Sequence, residues 1–282
     1  MADTELTAII CSGGGMKSAH GAGFLYALAT KLGITAPNIM IGSSGDAGNV
    51  LYFSAGQYDG MKRVWTELLS TDKFISFLRF WRVMDVNYLI DTVFRNQEPL
   101  DTNALKNSSI RWFVPMSDYD TGRTRYVSAE DALNPFEVLR ASAAIPIVFG
   151  EKIPIDGNRY TDGELGPTLQ DHVTQALRQG VRRILIINHT APWHTISRAV
   201  YEGYAAHIPK GMHDAIIRDL STNVFHMSAP GATVIAVAPQ NLPAGNLTRN
   251  KKKLVRTFEY GVEDALAIEK ELRDLFHPSR GR

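Results

Sequence analysis

The chain has 282 residues, 44% of them hydrophobic and 21% charged, with a net charge of +1. That balance suits a soluble globular fold with ample apolar material for a core, and it offers neither a basic face for nucleic acid nor an acidic tail. A single cysteine, Cys11, rules out a disulfide framework; MADTELTAII lacks the pattern of a secretory leader and no apolar run reaches spanning length, so a cytoplasmic protein is expected.

LTAIICS (6–12) is a continuous apolar run and reads as a buried strand. A glycine turn follows, then a helix over 19–32 that Gly33 stops. NIMIG (38–42) is a second short strand, broken by Ser43-Ser44, and GDAGNVLYFSAG begins a second helix of small residues. This β-turn-α-β-turn-α opening predicts an α/β fold with a mainly parallel sheet. Residues 59–98 read as mostly helical, and 110–128 as two strands around an Asp-Thr-Gly turn. Asn134-Pro135 starts a helix that runs through Ala144. KIPIDGNRYTD (152–162) is a hairpin turning at Asp156-Gly157. A helix over 167–179 is closed by Gly180; RRILIIN (182–188) and TVIAVAP (233–239) are buried strands with helices between them. Residues 258–276 form a last helix, ahead of a tail at 277–282 expected to fray. There are no repeats and no linker, so one domain over 1–282 is expected.

The glycine turn, SGGGMKSAHGAGF (12–24), admits three readings. A phosphate loop of the Walker type needs Gly-Lys-Ser/Thr at its end, but Met16 precedes Lys17-Ser18. A dinucleotide fingerprint needs a third glycine where Ser18 stands, and no acidic residue ends the next strand. What remains is an oxyanion hole: Gly13, Gly14 and Gly15 at a strand-to-helix turn can present bare backbone N–H groups at the positive end of a helix.

Such a hole needs a nucleophile beside it. Gly42-Ser43-Ser44-Gly45-Asp46 lies at the next strand-to-helix junction and is nearly a G-x-S-x-G elbow, best centred on Ser44. Either serine also suits a simple helix cap. A base is offered by Asp162, which ends the hairpin strand in TDGEL; it is effective only where partly desolvated. His189, past the RRILIIN strand, reads as a polar strand end rather than a catalyst, and no histidine spacing matches a metal motif.

With these residues in view, the chain resembles the patatin-like phospholipase family. The resemblance is carried by SGGGMKSAHGAGFLYAL (12–28), IGSSGDAGNVLYFSAG (41–56), LRASAAIPIVFGEKIPIDGNRYTDGEL (139–165) and, more weakly, LVRTFEYGVEDAL (254–266). It implies a three-layer α/β/α fold with a central, mainly parallel sheet, and a Ser44–Asp162 dyad without histidine. It also implies an oxyanion hole at Gly13–Gly15, Lys17 at the substrate in place of the usual arginine, and hydrolysis of lipid or phospholipid acyl esters without metal or cofactor. Three positions depart from the family pattern: Ser18 and Asp46 replace glycines, and Glu164 replaces a small residue. Asp46 sets a carboxylate two residues from the nucleophile, which leaves a non-catalytic lipid-binding relative as the alternative, beside an esterase of non-lipid esters or thioesters.

KFISFLRFWRVMDVNYLI (73–90) places Phe74, Phe77, Leu78 and Trp81 at helical spacing, with Arg79 and Arg82 between them. It reads either as a lid helix in transient contact with a membrane surface or as a helix packed on the core. Lys251–Lys253 reads as a solvated helix start.

Overall fold

β1 (Leu6–Cys11) runs through the middle of the sheet, paired in parallel with β2 (Ile39–Gly42) on one side and β7 (Val181–Ile187) on the other. The structure, a computed structural model, describes residues 5–80, 82–189, 195–221 and 227–277. The remaining strands are β3 (Arg111–Asp118), β4 (Thr124–Val127), β5 (Ile153–Ile155), β6 (Asn158–Thr161) and β8 (Thr233–Val237). Their order is β5-β6-β3-β2-β1-β7-β8, with β4 also paired to β3. β3, β2, β1, β7 and β8 are parallel; β4, β5 and β6 add antiparallel pairs at one end.

Period-two alternation explains why the central strands are apolar throughout. Ile9, Cys11, Met40, Val114, Leu185 and Ile187 belong to one core layer, while Ala8, Ile10, Ile41, Phe113, Ile184 and Ile186 belong to the other. A sheet buried on both faces has no solvated side to mark with polar residues. The first layer packs against α1 (Ala19–Thr30), α2 (Gly45–Ser54), α3 (Tyr58–Arg63), α4 (Thr102–Lys106), α5 (Pro135–Ser142), α9 (Lys251–Ala267) and α10 (Glu269–Phe276). The second packs against α6 (Leu169–Arg178) through Leu169, Val173 and Ala176. α7 (Thr195–Ala205) and α8 (Lys210–Ser221) form a small cluster of their own with Tyr119 and Leu165. The result is the expected three-layer α/β/α arrangement.

Local chemistry sets several boundaries. Thr168 and Asp171 form a reciprocal capping box at α6. Asn134 caps α5 with Pro135 in its first turn. Asp156 and Gly157 both have positive φ, 50° and 79°, as a two-residue hairpin turn requires.

Two expectations are corrected. Helix does not run through 59–98: α3 passes into a π-helical turn at Val64–Leu68, and a π-helical segment occupies Tyr88–Gln97. Between them lies a loop closed by an antiparallel bridge of Ile75 with Met84, so 73–90 is no single helix. The Arg79 guanidinium donates to the carbonyls of Lys73 and Phe74, and Asp85 N–H donates to Phe74 O at 2.8 Å; these bonds take backbone acceptors that a helix would have used. The last helix begins at Lys251 and is interrupted at Ile268, giving α9 and α10 instead of one run over 258–276. Residues 278–282 of the tail expected to fray lie outside the described residues.

α1 and α9 cross with their backbones touching. A Cβ on Gly23 would lie 1.9 Å from Phe258 O, and one on Gly261 would lie 1.9 Å from His20 O. Gly261→Ala therefore forces the two helices apart, and overpacking of this kind costs roughly 1–3 kcal/mol. The expected outcome in urea unfolding is a lower midpoint at unchanged slope; an unchanged midpoint would contradict the crossing.

Candidate active site

The parallel register puts Cys11 opposite Gly42, so the turns that leave β1 and β2 emerge side by side at the carboxyl end of the sheet. Ser44 stands between β2 and α2 with φ 48° and ψ −123°, a left-handed conformation that is strained for a residue carrying a Cβ. This is the sharp elbow that lifts a serine off a strand end onto a helix N-terminus. Ser142 Oγ accepts from Ser44 N–H at 3.1 Å and Cys11 O from Ser43 N–H at 3.3 Å, which hold the turn.

Asp162 leaves the end of β6. Its Oδ2 accepts from Ser44 Oγ at 2.9 Å and its Oδ1 from the Glu164 N–H at 2.9 Å. Both side chains are nearly enclosed, Ser44 at 7% and Asp162 at 3% exposure. Burial is the main force on the Asp162 carboxyl, pushing it up to about 7; the Glu164 amide opposes that, the Glu164 charge adds to it, and the Ser44 hydroxyl opposes it weakly.

The glycine turn lies against this pair. A Cβ on Gly13 would lie 2.6 Å from Ser44 Cβ, so only glycine admits the approach. The three glycine amides do not behave alike. Gly13 N–H donates to Glu164 Oε1 at 2.9 Å, so the one expected to join Gly14 and Gly15 as an oxyanion donor is already committed. The amides of Gly14 and Gly15 meet no protein acceptor among the described residues. Lys17 does not project into the cavity next to Ser44: its Nζ donates to His189 O at 2.7 Å, and burial holds its ammonium below the usual lysine range.

Asp46, the most conspicuous departure, is fully buried and turned away from Ser44. Its Oδ1 accepts from Asn49 Nδ2 at 2.7 Å and its Oδ2 faces His189 Nδ1 at 3.0 Å. His189 Nε2 meets His20 Nδ1 at 3.1 Å, and His20 Nε2 meets Asp264 Oδ2 at 2.8 Å. Carboxylates close both ends, so the two outer ring nitrogens carry protons. Burial, and then the charge of His189, pushes His20 down to about 4. This Asp–His–His–Asp chain was not legible in the sequence, because its members lie on α2, α1, α9 and the end of β7.

An apolar cavity opens beside Gly15 and Ser44. Met61, Trp65, Phe74, Met84, Ile90 and Phe94 line it. Phe74 and Met84 come from the bridged loop, whose tip exposes Phe77, Leu78 and Phe80 at 61%, 90% and 81%. No helix among the described residues is long and apolar enough to cross a membrane. Nor does any group of three His, Cys, Asp or Glu among them converge as metal ligands would.

Because folding raises the Asp162 carboxyl, its stabilising contribution is present below the unfolded value near 4 and is lost as pH rises through about 7. Asp162→Asn should therefore melt at a higher temperature than the native chain at pH 8, with the difference vanishing near pH 4. Thermal unfolding at the two pH values checks this; an equal difference at both would contradict it.

A model of the patatin-like phospholipase family matches residues 9–169. The uncharacterized protein YjjU of Escherichia coli (strain K12) is 26% identical over 195 residues, covering 64% of this chain and 51% of that protein. The chain thus spans about half the length of the curated relative it matches. Among solved structures, VipD from Legionella pneumophila shares the fold at a TM-score of 0.56 and 13% identity, over 95% of this chain and 67% of that one. The family match takes in more than half of the chain, including the glycine turn, the Ser44 elbow and Asp162, and this chain belongs to the patatin-like phospholipase family.

Proposed function

We propose that the protein is a serine acyl hydrolase of lipid esters, of phospholipase A or lysophospholipase type. The observation that carries this reading is the Ser44 Oγ to Asp162 Oδ2 hydrogen bond of 2.9 Å at the mouth of an apolar cavity. Ser44 Oγ attacks the ester carbonyl while Asp162 takes its proton. The tetrahedral oxygen takes the amides of Gly14 and Gly15, with the N-terminus of α2 adding a favourable dipole. Gly13, bonded to Glu164, supports the loop instead. Collapse expels the alcohol, protonated by Asp162, and leaves an acyl-Ser44 ester. Water, activated by the same carboxylate, releases the fatty acid and restores Ser44. No metal or organic cofactor enters these steps.

Asp46 does not oppose this chemistry, since its charge is spent on His189 and Asn49. An Asp162 carboxyl near 7 is a far better base than one at the ordinary aspartate value, which answers the weakness of aspartate in a serine dyad. The cavity favours a long acyl chain over a small polar ester. In this reading Lys17 anchors the glycine loop through His189 O rather than holding the head group.

The exposed Phe77, Leu78 and Phe80 extend the wall supplied by Phe74, so the bridged loop meets the lipid surface and hands an acyl chain to the cavity. Apolar tips of this kind bury into the interfacial region of a bilayer.

A long-chain alkyl fluorophosphonate should label the native chain and leave Ser44→Ala unlabelled, and Ser44→Ala should also lose all hydrolysis of phosphatidylcholine vesicles. Equal labelling of the two proteins would reject the assignment. Replacing Phe77 and Leu78 together by serine should slow vesicle hydrolysis by about tenfold or more, equivalent to about 1.4 kcal/mol. Turnover of a soluble p-nitrophenyl ester should hold; a parallel loss of both would show that the loop serves the site rather than the surface.

A further inference from the structure

Glu164 occupies a position that the catalytic steps do not use, yet it touches all three turns of the site. Its Oε1 accepts from Gly13 N–H at 2.9 Å and from the Ser43 hydroxyl, and its own N–H donates to Asp162 Oδ1 at 2.9 Å. One residue thereby ties the glycine turn after β1, the elbow after β2 and the turn after β6. Behind the carboxylate, from α6, stands buried His172, whose Nε2 lies 3.8 Å from Glu164 Oε1 and makes no hydrogen bond among the described residues. Its Nδ1 is engaged at 2.9 Å by the hydroxyl of Tyr126 on β4. Arg218 on α8 donates to the carbonyl of Gly166, two residues further along the same turn.

We propose that Glu164 is a positioning residue of the acyl hydrolase: its carboxylate clamps Gly13 and Ser43 so that the neighbouring amides and the Ser44 hydroxyl share one geometry, and its negative charge shifts the pH range in which Asp162 works as a base. The inference rests on the reading of Ser44 and Asp162 given above. Two physical contributions separate. The clamp depends on reach, since the acceptor oxygen must arrive at two donors on different loops. The tuning depends on charge, since a carboxylate beside Asp162 disfavours a second ionised carboxyl there. Burial pushes the Glu164 carboxyl up, but His172, the Ser43 hydroxyl and the Gly13 amide outweigh it and hold Glu164 below the usual carboxylate range, so it keeps its charge while Asp162 titrates. The Glu164 charge is among the causes that raise Asp162 to about 7.

Two conservative variants pull the contributions apart. Glu164→Gln keeps an acceptor oxygen at the same reach and removes the charge. Glu164→Asp keeps the charge and falls one methylene short of Gly13 and Ser43. For each, the acid limb of kcat/KM on a soluble ester and the titration midpoint of the Asp162 carboxyl, by carbon-13 NMR, are measured against the native chain, with Ser44→Ala as background and circular dichroism as the check on folding. Glu164→Gln should move both the limb and the midpoint to lower pH by on the order of one unit, with kcat at high pH within about threefold of native. Glu164→Asp should leave both in place and lower kcat by about tenfold or more, as misplaced groups do. A midpoint unmoved in Glu164→Gln overturns the tuning, and native kcat in Glu164→Asp overturns the clamp. Hydrolysis by the native chain that does not exceed the Ser44→Ala background would instead defeat the acyl-hydrolase reading, and the NMR midpoint would still report whether Glu164 acts on Asp162.

Discussion

Parallel pairing of β1 with β2 is the constraint on which the site depends. Because Cys11 lies opposite Gly42, the two strands end level, and their following turns have nowhere to go but against each other. Glycine at position 13 then becomes obligatory, since a Cβ there would collide with Ser44 Cβ. The same contact sets the glycine turn, whose next two amides meet no acceptor among the described residues, against a serine held in a strained elbow. β6 delivers Asp162 to this point by antiparallel pairing with the far end of β3, where Ser117 lies opposite Thr161. Strain at Ser44 persists because the surrounding hydrogen bonds to Ser142, Cys11 and Asp162 over-determine it.

Three acidic side chains lie close together here, and the fold treats each differently. Asp46 faces the His189 ring, which stands in turn against His20, and accepts from the Asn49 amide. Glu164 keeps its charge against two donors and the His172 ring. Among the described residues Asp162 receives a hydroxyl and one amide, so burial dominates and its proton is held to higher pH. Paired buried charges are tolerated, whereas an under-compensated one stays neutral until the solution forces it to ionise. A carboxyl left in that condition destabilises the fold at neutral pH and is a stronger base for it, the usual opposition between stability and activity at a reactive site.

The Asp46–His189–His20–Asp264 chain also joins distant parts of the molecule. It begins on the helix that carries the elbow, passes under the glycine turn, crosses the close α1–α9 contact and ends on the partly exposed Asp264. His189 lies so near the turn that a Cβ on Gly14 would come within 2.7 Å of its own Cβ. Helix α9, to which the family match does not extend, is thus tied to the floor of the site.

Much of this was decided by the sequence on its own. Continuous apolar runs at LTAIIC and RRILII marked central strands, because a sheet covered on both faces leaves no polar alternation. Asp156-Gly157 and Asn134-Pro135 marked a turn and a helix start, because their backbone chemistry is local. Gly13–Gly15, Ser44 and Asp162 were read together because a glycine turn and a serine pair stand at successive strand ends and an aspartate ends the hairpin strand; the fold sets Gly13 against Ser44 and Asp162 at 2.9 Å from its hydroxyl. What only the tertiary structure decided was pairing between remote segments. The aromatic run at 73–90 has helical spacing, yet Phe74 and Ile75 are buried while Phe77, Leu78 and Phe80 face outward, an order set by the bridge to Met84 and the cavity beneath. Asp46 looked like a hazard to the chemistry, and its partner lies 143 residues away in the chain. Glu164 looked like a plain departure, and its contacts with Gly13 and Ser43 arise only when three turns converge. Periodicity and turn chemistry reach a few residues along the chain; the charge, reach and burial of a side chain are set by whatever the fold brings beside it.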